Sequence, residues 1–78
     1  MKIYRVFERQ PYSEGDPDEY GYYSSNERAI ERLNAIWTER SYPVERMETL
    51  EFGGRAAKGL YEWKQINVQE IELDKDLN

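Results

Sequence analysis

The sequence predicts a small α+β domain, an antiparallel sheet of three to five strands with one main helix packed on it. Three observations carry this expectation. The chain has 78 residues, enough for one domain with a thin core and no more. Residues 25–40 repeat their apolar side chains at helical spacing. Segments at both ends of the chain are rich in β-branched and aromatic residues, which suit a pleated, half-buried surface.

The first strand is KIYRVFE, Lys2–Glu8. It contains no Gly or Pro, and its period of two puts Tyr4 and Val6 on one face and Ile3, Arg5 and Phe7 on the other. Residues 10–21 follow with Pro11, Pro17, Gly15 and Gly21 among the acids Glu14, Asp16, Asp18 and Glu19. That composition reads as an exposed acidic loop. The tyrosines of EYGYYSS then suggest a short second strand. Tyr20 and Tyr22 share one of its faces and Tyr23 takes the other. Tyr23 stands just before a helix cap, where an apolar residue staples onto the first turn. It is therefore assigned to the core, with Tyr20 and Tyr22 partly exposed.

The helix opens on Ser24 and Glu27, which fit the S-x-x-E capping box, with Ser25 as the competing cap. Ala29, Ile30, Leu33, Ile36 and Trp37 form its apolar stripe. It should end near Arg40, because Pro43 disfavours helix at Tyr42. Residues 44–52 satisfy both a helical and a strand pattern. Strand is preferred, because GGRAAKG (residues 53–59) looks like a hairpin loop leading into the strongest β segment, LYEWKQINVQEIELD. In that segment Leu60, Ile66 and Val68 have one parity, and Tyr61, Trp63, Ile71 and Leu73 the other, which implies a bulge or two consecutive strands. Residues 75–78 are a frayed tail. The core is expected to join the helical stripe to Ile3 or Tyr4, Val6, Phe7, Ile66 and Val68.

The composition narrows the chemistry. There is no histidine and no cysteine. The commonest general base, the zinc ligands and the thiol nucleophile are therefore all missing. The alternating acids from Glu14 do not make an EF-hand loop, whose sixth and twelfth positions require Gly and Glu but here hold Glu19 and Ser25. GGRAAKG fails the phosphate-loop pattern, since its lysine precedes the second glycine and no Ser or Thr follows. A domain this small has little room for a pocket with a supporting shell. No catalytic residue, metal or cofactor is expected, and the protein is read as a non-enzyme.

A net charge of −5 disfavours direct binding to nucleic acid, which needs cationic surface. No apolar run approaches the length of a membrane span and no secretory h-region is visible, so a cytoplasmic location without membrane contact is expected. What remains is a protein-binding surface. Interfaces favour Tyr, and the acidic loop lies beside two tyrosines expected to be exposed. The candidate partner-binding residues are Glu14, Asp16, Asp18, Glu19, Tyr20 and Tyr22, with Arg55 and Lys58 from the glycine-rich loop. The plainer alternative is that these tyrosines pack against cross-strand neighbours and the charges only face water.

The stretches MKIYRV, YSSNERA and VQEIELD together resemble small bacteriophage and prophage proteins. Those proteins begin M-K-[IV]-Y-x-V, carry a capped [FY]-S-[ST]-x-E-x-A helix and end in a [VI]-x-E-[VIL]-E-[LV]-D strand. Residues 41–58 look like an insertion relative to the shortest of them. The resemblance rests on strand and cap patterns, so it carries over no catalytic residue. It implies a phage-type accessory protein that binds and modulates or inhibits a host or defence protein. Two other readings stay open. One is an acidic DNA mimic, which predicts a stripe of carboxylates. The other is a small-ligand or nucleotide-binding oligomer, which predicts arginines such as Arg5, Arg9, Arg28 and Arg32 gathered with tyrosines around a concave site. Pairing of two sheets in a homodimer would also relieve an exposed tyrosine face.

Overall fold

A computed structural model describes residues 1–9, 15–60 and 63–73. The domain is α+β: strand β1 is Lys2–Glu8, β2 Asp18–Tyr23, helix α1 Asn26–Glu39, β3 Arg46–Thr49, β4 Arg55–Lys58 and β5 Trp63–Glu72. The strands form one antiparallel sheet in the order β2-β1-β5-β4-β3. Helix α1 covers one face of it, and among the described residues no helix is long and apolar enough to cross a membrane.

Alternation along β1 and β5 divides the chemistry between two faces. Val6 stands opposite Val68 and Glu8 opposite Ile66. Val6, Ile66 and Val68 meet Ala29, Leu33, Ile36 and Trp37 from α1, and Ala57 from β4 completes this buried cluster. Ile30, at the edge of the stripe, is only half-buried. Phe7, expected in the core, lies on the far face. It pairs with Asn67, one residue out of phase with Val6.

Both ends of the helix close on named side chains. Ser25, in extended conformation, accepts from the Arg28 N–H at 3.2 Å. The cap is therefore Ser25, one residue later than the Ser24 box. The C-terminus closes in a Schellman motif. Ser41 takes the left-handed conformation at φ 53°. Its N–H bonds to Thr38 O at 3.1 Å, and the Tyr42 N–H reaches Trp37 O at 3.1 Å. The apolar contact that accompanies this motif is Trp37 against Tyr42, edge to face with centroids 5.3 Å apart.

Four further expectations are corrected. Residues 53–59 are not a loop, because Arg55–Lys58 is strand β4. Its small side chains allow close packing, with Ala57 fully buried beneath the helix. The glycines instead help close the β3–β4 hairpin, where Leu50 and Gly54 are joined by an N–H to O bond of 2.6 Å around a 3-10 turn at Glu51–Gly53. Gly53 sits at φ +87°, and a Cβ there would lie 2.6 Å from Ile30 Cδ1, so the hairpin tip packs against the helix only with glycine. Residues 44–52 yield the expected strand, but only over Arg46–Thr49.

Strand β5 runs unbroken, without the bulge its parity change suggested. Its odd residues simply occupy the face away from the helix. The bulge lies across from β1 instead. Val6 pairs with Gly21 and Phe7 with Glu19, which leaves Tyr20 as an extra residue. Consequently Tyr20 does not share a face with Tyr22. It packs against the core with Tyr23, while Tyr22 remains 59% exposed. The acidic segment is strand from Asp18 onward. Residues 10–14 and the expected tail at 75–78 lie outside the described residues.

Candidate functional site

Two places concentrate polar chemistry, one on each side of the sheet. On the helix side, Glu8 is buried, 1% exposed. Sequence reasoning left the carboxylates in solvent, although Glu8 has the parity of Tyr4 and Val6 and so belongs to the core face. What could not be read is its coordination. The Tyr20 hydroxyl donates to Glu8 Oε1 at 2.6 Å, and the Tyr42 hydroxyl donates to both carboxylate oxygens at 2.8 Å. The bulge delivers Tyr20 and the Schellman turn delivers Tyr42, so three segments close on one carboxylate.

This environment favours neutral phenols. Burial pushes the Tyr20 hydroxyl far above its ordinary value, and hydrogen bonding to Glu8 adds to the shift. Burial and the same carboxylate raise Tyr42, against a smaller opposing effect of Arg40. Arg40 also lies over the Tyr20 ring at 5.4 Å, as does Lys64 over the Tyr42 ring at the same distance. With donors on both of its oxygens, the Glu8 carboxylate is a structural clasp that holds the end of β1 to the bulge and to the helix terminus.

The other side of the sheet is open. Continuing the alternation outward from β1, this face carries Arg5 between Tyr22 and Gln69, and Phe7 between Glu19 and Asn67. Across β5 and the β3–β4 hairpin it carries Gln65, Ala56 and Glu48 in one row, and Trp63, Lys58 and Arg46 in the next. Trp63 is 40% exposed. Among the described residues the cations Arg5, Arg9, Arg46 and Lys58 here outnumber the carboxylates Glu19, Glu48 and Glu51, although acids outnumber bases in the chain as a whole.

Arg5 is the fixed point of this face. Its guanidinium holds both carboxylate oxygens of Glu19, donates to Gln69 Oε1 at 3.1 Å and lies 4.1 Å over the Phe7 ring. The hydrogen bond from Arg5 holds the Glu19 carboxyl below the usual carboxylate range. Beside this cluster a groove of about 420 Å³ runs between β5 and the 3-10 turn, with Arg5, Phe7, Arg9, Asn67 and Gln69 on one side and Glu51 on the other. Its volume is within the range of small-ligand clefts.

The residues singled out from sequence are thus dispersed. Tyr22, Glu19 and Lys58 share the open face. Tyr20 points inward to Glu8, and Arg55 lies over the Trp37 ring on the helix side at 5.4 Å. Asp16 and Asp18 are exposed, and Glu14 is outside the described residues. The four arginines expected around one concavity form two separate pairs. Arg5 and Arg9 line the open-face groove, whereas Arg28 and Arg32 line a shallow one of about 440 Å³ beside Tyr23.

Fold and surface together define a small α+β domain with one face sealed by a helix and one face free. Comparison of the chain with protein-family models, with curated proteins and with solved structures returns no match.

Proposed function

We propose that this protein is a non-catalytic binding module that modulates a partner protein docked on the open face of its sheet. The observation that carries the reading is the character of that face. It presents exposed Tyr22 and Trp63 together with arginines, the side chains that most often anchor protein interfaces. The likeness of the two termini and the helix start to small phage proteins supports a host or defence protein as the target. The surface of α1 alternates acids and bases through Glu27, Arg28, Glu31 and Arg32, which gives little support to a DNA-mimicking stripe.

The experiment is capture from a bacterial lysate with three baits: wild type, the double variant Tyr22→Ala with Trp63→Ala, and the helix-face variant Arg28→Ala. The expected result is one host protein held by wild type and by Arg28→Ala but lost by the double variant, with micromolar or tighter binding once purified. Equal retention by all three baits would refute the assignment of the open face.

A further inference from the structure

We propose that a recess beside the open-face groove is a nucleotide site, taking a ring-bearing monophosphate of the nucleoside monophosphate class. This goes beyond the protein-docking reading, because it rests on the groove and not on the exposed aromatic residues around it.

Beside the groove, on four residues that also line it, lies a recess of about 190 Å³ formed by Phe7, Arg9, Gln65 and Asn67. Arg5 does not line it. Arg5 covers one side of the Phe7 ring at 4.1 Å, which leaves the ring's other face for a stacking ligand. A planar base fits there against the aromatic face. The two amides define what its edge must offer. Gln65 Nε2 donates to Asn67 Oδ1 at 3.0 Å. That bond leaves the Gln65 carbonyl oxygen able to accept and the Asn67 amide nitrogen able to donate, both in the lining of the recess. A nucleobase edge offers partners to such groups, and Asn and Gln read bases in this way.

The charges select the rest of the ligand. Arg9 lines both the recess and the wider groove and is placed to take a phosphate as a charge-assisted pair. Arg5 is already engaged by Glu19 and Gln69, so among the described lining residues Arg9 is the arginine left for a phosphate. Glu51 lines the opposite wall. Its carboxylate accepts from sugar hydroxyls and repels a second or third phosphate, which sets a monophosphate apart from a triphosphate.

The test is a titration of the 15N-labelled protein, read by NMR, with four probes: adenosine monophosphate, adenosine, inorganic phosphate and a ten-residue oligothymidylate. Adenosine monophosphate is expected to move the side-chain amide signals of Gln65 and Asn67. Adenosine and phosphate should each bind at least tenfold more weakly. Arg9→Ala should weaken adenosine monophosphate at least tenfold and leave adenosine unchanged. Tyr22→Ala, which disables the proposed protein-docking surface, should leave nucleotide binding unaltered, so the two proposals can fail separately. The nucleotide site is overturned if no probe shifts those amides at millimolar concentration, or if phosphate alone matches the nucleotide. Tighter binding of the oligonucleotide, with Tyr22 and Trp63 also shifting, would replace it with a platform for single-stranded nucleic acid.

Discussion

The two faces of this sheet use the same residue types to opposite ends. On the helix side a buried carboxylate, Glu8, meets two half-buried tyrosines whose hydroxyls turn inward to it. On the open side a carboxylate, Glu19, meets an arginine at the surface, and a tyrosine one pair along stands free in solvent. Burial makes the first arrangement structural, since a desolvated carboxylate without partners is costly and the phenols supply them. Solvent makes the second inexpensive to form and to rearrange, because exposed ion pairs add little to stability. Polar side chains on the covered face therefore hold the fold, and those on the open face remain available to a ligand.

Five measurements break or sharpen this contrast. The largest loss is expected from Ile66→Ala, which opens a cavity under the helix and should cost about 3 kcal/mol in chemical denaturation. Glu8→Ala comes next, at about 2 kcal/mol, because two half-buried hydroxyls lose their acceptor. A cost below about 0.5 kcal/mol for that variant would show that the clasp is incidental.

The third concerns alkaline pH. The folded state raises the Tyr20 and Tyr42 hydroxyls above their ordinary value of 10.0. A raised folded pKa means that the stabilisation is complete below the unfolded value. It is then lost as the pH climbs toward the folded one, since the unfolded chain gives up those protons first. Stability should thus fall above about pH 10, and the double variant Tyr20→Phe with Tyr42→Phe should flatten that fall. Fourth, Ser41→Gly should stabilise by about 0.5–1 kcal/mol, because the left-handed position at φ 53° suits glycine. The smallest effect belongs to Tyr22→Ala, expected within about 0.5 kcal/mol of wild type. A larger loss there would mean that the open face also carries the fold.

Much of the covered face was legible in the sequence. The stripe Ala29, Leu33, Ile36 and Trp37 has an unambiguous period, and the alternation in β1 sets Tyr4 and Val6 apart from Phe7, although the expected core still includes Phe7. The failures share one cause. Strand β4 was hidden because two alanines between basic residues have little β propensity; they are strand because Trp63–Ile66 pair beside them and α1 closes over Ala57. Tyr20 was misplaced because alternation was carried through a bulge, and a bulge is a property of the pair Val6 and Gly21 across two strands. Glu8 carried a signal in its parity, but its partners lie 12 and 34 residues away. The open-face groove joins residues from β1, β5 and the 3-10 turn, so only its Arg5 and Arg9 could be anticipated, and then without knowing that Arg28 and Arg32 would stand elsewhere.

The clasp on Glu8 also bears on the order of events in folding. Its three members come from the end of the first strand, the extra residue of the second and the turn after the helix. It can close only once those segments have already been brought together, and loops of that length must lose their entropy first. Interactions absent from the transition state act mainly by slowing the reverse reaction. The two phenols on Glu8 therefore act as a latch. Glu8→Ala is expected to speed unfolding more than it slows folding.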